Sequence, residues 1–386
     1  MNVFITGSTG FLGGEILVRL SKRKEINKIF CLVRAKDEID AILRLDKVFS
    51  FHGDDFDRER VIPVIGNLVD EDLTAQLLNN PVLKDVNVIV HSAANTSFSG
   101  IYDKMVEQTN IEGLRKIVLF AKQLPNFATF LHIGTATICG KEVKHRLVKE
   151  EESPNLNAKH VVSYTNSKAQ GELIIREHLP ENKILIARPS IIMGDSRDVT
   201  PRSPVILWAV ATINQIRLIP ADQHAKLDVI SVDYAAEAIV KLLFAKRHHT
   251  VYHISSGVKA ATSAYELSLV LEDHFSDLPK YVFVKNEMLK QMKLVAKNKL
   301  PLDSELLKYP EYIKYWKDTF GELSHLRILF AGLDPYLEFL NLGQVFDNSK
   351  LLQDVEMEKP IPAHEYIVKQ MAYLEKLDVF EGAMDF

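Results

Sequence analysis

The chain holds only two cysteines, Cys31 and Cys139, in 386 residues. Each sits in an apolar stretch that reads as a strand or its end, which argues against a disulfide framework and fits a reducing compartment. Long apolar runs are missing too. The richest window, Val205 to Ile213, falls short of the ~18 residues of a membrane span and is followed by Asn214, Gln215 and Arg217. Excess charge of one sign is scarce: the formal net charge is -4 and no long Lys/Arg run occurs, so neither nucleic acid nor an anionic membrane is an expected partner. The histidines, His248 and His249 among them, lack ligand spacing with cysteines or carboxylates, and no metal site is expected. A first strand starting at Asn2 leaves no room for a signal peptide. A cytoplasmic protein is the expectation.

What is present is an alternation of short β-rich runs and helical stretches from Met1 to about Ser190, the rhythm of a parallel sheet. The spacing predicts strands at Asn2–Thr6, Lys28–Val33, Arg60–Ile65, Val86–His91, Thr129–Ile133 and Lys183–Ala187. Most are continuous apolar runs, as when helices cover both faces. Helices are expected at Gly13–Arg23, Asp103–Lys122 and Ser163–Glu177. After Arg188 the rhythm breaks. A loop from Asp195 leads to a helix over Pro204–Asn214, sheet-like pieces return at Leu227–Val232 and Thr250–Ser255, and from Lys259 the pattern is helical with aromatic clusters near Trp316 and Tyr336. The expected fold class is α/β, a doubly wound parallel Rossmann sheet with a smaller, mostly helical C-terminal lobe. Its division is 1–200 for the dinucleotide half, with 227–255 crossing back to it, and 201–386 for a substrate-binding lobe.

The segment Gly7-Ser8-Thr9-Gly10-Phe11-Leu12-Gly13 follows the first strand and opens a helix. Gly7 allows a tight turn, Gly10 lets a pyrophosphate approach the backbone, and Gly13 lets helix pack on strand, while the helix N-terminus offers amide donors. At the end of the second strand an NAD site normally carries an acidic residue for the ribose 2′-hydroxyl. Here Arg34 stands there, with Lys36 and Arg44 beyond it, and a guanidinium suits a 2′-phosphate. NADPH is therefore the expected cofactor; for Lys36 an ordinary surface cation is the better reading. Asn67 and Leu68 after the third strand, and Ala93 and Ala94 after the fourth, fall at strand C-terminal ends, where open sheets bind ligands. Tight helix packing is the alternative for the alanines.

Tyr164 and Lys168 stand four residues apart in an expected helix and so share a face. The ammonium is expected to lower the phenol pKa and ease proton transfer. Thr135, just past the fifth strand, is placed to donate to a substrate oxygen, unless it only caps its own turn. Asn110 is a candidate for holding a water that links Lys168 to solvent, unless it is a structural asparagine. Asp233 reads as the cap of a helix over Tyr234–Phe244.

Together these residues resemble the extended short-chain dehydrogenase/reductase superfamily, and within it the acyl-thioester reductases: fatty acyl-CoA reductases and the terminal reductase domains of carboxylic acid reductases and peptide synthetases. The motifs are ThrGlySerThrGlyPheLeuGly at 6–13, CysLeuValArgAla at 31–35, Arg44-Leu45, HisSerAlaAla at 91–94, ThrAlaThrIleCysGly at 135–140, TyrThrAsnSerLysAla at 164–169, ArgProSerIle at 188–191 and GlyAspSerArg at 194–197. A weaker likeness continues in ProTyrLeu at 335–337 and PheAspAsn at 346–348. The resemblance implies that Thr135, Tyr164 and Lys168 are catalytic, that Arg34 and Arg44 bind the 2′-phosphate, and that Pro189, Ser190 and Ile191 lie beside the nicotinamide. It further implies an acyl thioester on coenzyme A or a carrier protein as substrate, and a homodimer built on the helices Asp103–Lys122 and Ser163–Glu177. Two departures are Asn67, where many relatives have aspartate, and Gly134, where serine is common. Two alternatives remain at this point. One is a sugar-nucleotide epimerase or dehydratase, against which Ala136-Thr137 stand where acidic residues are expected. The other is a non-catalytic NADP-sensing regulator, a class that tends to lack the tyrosine–lysine pair.

Overall fold

In the computed structural model, which describes residues 1–197, 200, 201, 203, 205–321 and 323–380, seven parallel strands form one sheet. They are β1 Asn2–Thr6, β2 Lys28–Val33, β3 Val61–Ile65, β4 Val88–His91, β5 Thr129–Ile133, β6 Ile184–Pro189 and β7 Val251–Ile254, in the order β7-β6-β5-β4-β1-β2-β3. The central strands are buried on both faces because their apolar residues run without alternation. The order reverses between β1 and β4, and the C-terminal edge at such a switch point is where a ligand crevice opens.

Helices α1 Phe11–Ser21, α2 Glu38–Phe51 and α5 Val232–Phe244 cover one face, with Ile16, Leu17, Leu20, Leu45, Phe49, Ile239 and Leu242 in its core. Helices α3 Gly113–Gln123 and α4 Ser163–His178 cover the other, against Phe4, Ile89, Phe130 and Ile186. The buried positions of α2, Ala41, Leu45, Val48 and Phe49, keep the helical period, and Asp37 caps it by accepting from the Asp40 amide.

The expected fold class is the observed one, with local differences. The helix expected over Asp103–Lys122 is interrupted by a π-helical turn at Gln108–Glu112. The piece expected at Leu227–Val232 divides into two short strands outside the main sheet. Lys226–Leu227 pairs with Thr262–Ser263, and Val229–Ile230 pairs with Ile191–Ile192. Val251–Ile254 does join the main sheet, beside β6. The C-terminal region is helical around Trp208, Trp316, Phe330 and Leu333, yet it also gives strands that stitch it to earlier segments: Val282–Val284 to Leu218–Pro220, and Val345–Phe346 to Leu147–Val148. The helix expected from Pro204 runs Val205–Ile216; Pro204 itself lies outside the described residues. Asp233 is not a cap. It lies in the first turn of α5 and accepts from the amide and hydroxyl of Ser196, at 2.9 and 2.6 Å, anchoring the loop after β6.

Candidate active site

The turn between β1 and α1 has the geometry of a phosphate cradle. Gly7 takes φ +74°, and a Cβ there would lie 2.6 Å from the Ala93 amide nitrogen. A Cβ on Gly13 would lie 2.0 Å from the Gly7 carbonyl oxygen. No side chain caps α1, whose N-cap is Gly10, so its first-turn amides stay available to an anion. Ser8 is buried beneath the turn while Thr9 and Gly10 are exposed, and Phe11 and Leu12 are half-buried at the helix start. The residues present fit a dinucleotide: the uncapped first turn of α1 opens beside the exposed Gly10.

Along the same sheet edge, Arg34 is exposed just past β2, and no hydrogen bond or ion pair engages it among the described residues. Arg44 is turned to Asp40, its Nε 3.1 Å from Oδ1, and is the less available cation. Asn67 forms an Asx turn closed by Asp70, whose carboxylate accepts from the Asn67 amide at 2.9 Å. Leu68 is buried under Gly113, and its carbonyl accepts from Lys116. Ala93 donates its amide to Thr6 Oγ1 and, with Ala94, is half-buried at the end of β4.

Beyond the switch point, Lys168 is buried on α4 and donates from Nζ to the Ile133 carbonyl at 2.7 Å. Its ammonium stands 5.9 Å from the centre of the Tyr164 ring, one helical turn earlier. Two residues past Ile133, Thr135 starts the turn Ala136–Cys139, which packs against α4. Thr135 Oγ1 lies 3.0 Å from Thr137 Oγ1 and 3.4 Å from the Pro189 carbonyl, and it accepts weakly from the Thr137 amide. It therefore caps its own turn and also faces the end of β6. Ser190, buried, donates its amide to Ile254, and Ile191 pairs with Val229.

The π-helical turn aims Asn110 inward. Its Nδ2 donates to the Asn95 carbonyl and to Ser167 Oγ, both at 2.9 Å, and its Oδ1 accepts from the Asn95 amide at 2.7 Å. With both amide hydrogens used, only a second lone pair on Oδ1 is left to take a water's hydrogen. The plain consequence is that Asn110 ties the loop after β4 to α4, since Ser167 in turn donates to the Tyr164 carbonyl.

The electrostatics correct one expectation. The Tyr164 phenol is not lowered but pushed up to about 12, because burial penalises phenolate. Burial also pulls Lys168 down to about 8, partly offset by the Glu172 carboxylate. Tyr164 is thus a neutral phenol at physiological pH, and Lys168 remains mostly an ammonium.

Three features were missed in the sequence. Phe98, from the loop after β4, sits 6.4 Å from the Tyr164 ring, 5.1 Å from Tyr336 and 5.4 Å from Phe339, and it joins the active-site edge to the helical core. Nothing local marks it. Glu172 and Arg188 form a buried ion pair at 2.7 Å behind Lys168, and the i+4 spacing from Lys168 to Glu172 was the available signal. Arg197 reaches back to Glu15 on α1 at 2.9 Å while also pairing with Asp195.

Among the described residues, no helix is long and apolar enough to cross a membrane, and no cluster of three potential metal ligands occurs. The family model described as Male sterility protein, an NAD-binding family, matches residues 5–239. Fatty acyl-CoA reductase 1 of Homo sapiens is 27% identical over 271 residues, 60% of this chain and 52% of that protein; the chain spans about half the length of such curated relatives. Probable fatty acyl-CoA reductase 5 of Arabidopsis thaliana is 23% identical over 93% of this chain and 90% of its own length. Among solved structures, the terminal R domain from the myxalamid PKS-NRPS biosynthetic pathway superposes with a TM-score of 0.71 at 20% identity, over 97% of this chain and 90% of that one.

Proposed function

The chain belongs to the Male sterility protein family of NAD-binding domains, an oxidoreductase family of the extended short-chain dehydrogenase/reductase type, and from that premise we propose that it reduces acyl thioesters with NADPH. What supports the reading is that Lys168, 5.9 Å from the centre of the Tyr164 ring, bonds the last residue of β5, two residues before Thr135. Residues 1–200 with 227–255 would hold the dinucleotide and 201–386 the acyl group. Gly7 to Gly13 would cradle the pyrophosphate and Arg34 the 2′-phosphate. The phenol and ammonium of 164 and 168 would face the nicotinamide ribose, and Pro189 to Ile191 its ring.

The bound dinucleotide supplies the hydride. As the thioester carbon becomes tetrahedral, the Thr135 hydroxyl and the Tyr164 phenol donate to the developing oxyanion. Tyr164, held protonated by burial, passes its proton to that oxygen. The Lys168 ammonium, one turn away, offsets the negative charge then left on the phenolate. Collapse of the hemithioacetal releases thiol and aldehyde. Phe98, Tyr336 and Phe339 pack ring to ring, and on this reading they would present an aromatic face that suits an alkyl chain better than the hydroxyl array of a sugar nucleotide.

The test is to mix protein, reduced dinucleotide and acyl-CoA of graded length, or an acyl-carrier protein, and follow the nicotinamide absorbance. Thioester-dependent oxidation with release of thiol is expected. Its absence for every chain length and carrier defeats the substrate assignment. Tyr164→Phe separates an enzyme from a dinucleotide sensor: an enzyme loses roughly 10²–10⁴-fold in turnover while still binding the cofactor.

A further inference from the structure

Tyr164, Lys168 and Glu172 succeed one another at four-residue spacing on α4, so their side chains share a face. Glu172 is completely buried. Its carboxylate accepts from Arg188 in both oxygens, Nε to Oε1 at 2.8 Å and Nη2 to Oε2 at 2.7 Å. Arg188, on β6 and 2% exposed, gives Nη1 to the carbonyls of Glu152 and Glu150. Lys168, Glu172 and Arg188 thus form a buried row of positive, negative and positive groups. Room for it comes from Gly134, where a Cβ would stand 3.1 Å from Glu172 Oε1.

A buried ion pair is a poor source of stability, since apolar residues of like volume fill the same space at little or no cost. What they would not supply is a negative charge one turn from Lys168. The other titratable groups facing that ammonium do not: His132 on β5 and His91 on β4, stacked 5.9 Å apart, are held neutral by burial and by Lys168 itself, and the Tyr164 phenol stays protonated. Among the described residues, Glu172 is the carboxylate that counters the desolvation of Lys168.

We propose that Glu172, fixed in place by Arg188, is a positioning residue that keeps Lys168 an ammonium between the Tyr164 ring and the Ile133 carbonyl. The inference rests on the reading of the site given above. It is tested with Glu172→Gln, Glu172→Asp and the double variant Glu172→Leu/Arg188→Met, through pH profiles of turnover and of reduced-dinucleotide binding followed by nicotinamide fluorescence.

Glu172→Gln should move the alkaline limb of both profiles down by about one pH unit or more, because the attraction is lost and Arg188 is left unpaired. The double variant removes both charges and keeps the packing, so it should move the limb the same way by less even if the single variant fails to fold. Glu172→Asp should largely restore it. Limbs that stay in place in the folded double variant overturn the proposal and leave the pair a structural tie. Lys168→Met separates the two levels. If it abolishes turnover while the Glu172 variants leave the limb unmoved, only this inference falls; if it keeps wild-type turnover and profile, the reading of the site falls with it.

Discussion

The Lys168 ammonium donates to the carbonyl of Ile133, the last residue of β5, at 2.7 Å. One hydrogen bond thereby fixes α4 against the strand that delivers Thr135 two residues later. The tyrosine–lysine pair and the threonine are far apart in sequence, and this contact links the helix of the one to the strand that precedes the other.

That ammonium is buried at a cost, which gives a pH signature. In the folded chain Lys168 loses its proton near pH 8, whereas in the unfolded chain it keeps it to the ordinary value of 10.5. Between these values the unfolded state binds more protons, so this group makes stability rise with pH across that window. Reductive turnover, which needs the ammonium, should fall through the same window. Lys168→Met should remove the rise in melting temperature between pH 8 and 10 relative to wild type and abolish turnover; a variant that retains the rise assigns it to another group.

Gly13 is fixed by contact with the backbone of the cradle. Gly13→Ala places a methyl 2.0 Å from the Gly7 carbonyl oxygen, so the turn must move. Dinucleotide affinity should drop at least about tenfold and stability by about 1–3 kcal/mol, read by fluorescence titration and thermal melting. Unchanged affinity would mean that the pyrophosphate binds elsewhere.

Arg34 and Arg44 should separate in their effect on cofactor choice. Arg34 is exposed with no partner among the described residues, whereas Arg44 is held by Asp40. Arg34→Ala should raise the Kd for NADPH by roughly 10–100-fold, the worth of about 1.5–3 kcal/mol for hydrogen bonds to a charged group, and leave the Kd for NADH nearly unchanged. Arg44→Ala should cost only a few-fold. Equal losses for both cofactors would sink the 2′-phosphate assignment.

Phe98 offers a check on the substrate side. Phe98→Ala removes the ring that packs near both Tyr164 and Tyr336. Loss of about 1.5–3 kcal/mol of apolar contact should raise KM for long-chain acyl-CoA by about tenfold or more, with acetyl-CoA hardly affected. Steady-state kinetics over a chain-length series measures this, and a uniform effect would place the alkyl chain away from Phe98.

The strand runs, the glycine turn and the Tyr164–Lys168 spacing were legible because each is a local pattern whose physics does not depend on distant residues. β1, β2 and β5 have the bounds that the sequence pattern predicts. The π-helical turn at Asn110, the placing of Phe98 and the short strands of the C-terminal region were not, since each exists only through a partner far away in the chain.

By itself, then, the amino-acid order determined the parallel sheet, the glycine turn and the identity of the groups at the sheet edge, because periodicity and steric demand are written residue by residue. Only the tertiary structure decided their state. Whether a phenol is lowered by its neighbour's charge or raised by burial, and whether Glu172 answers Lys168, depends on how much water packing leaves around each group.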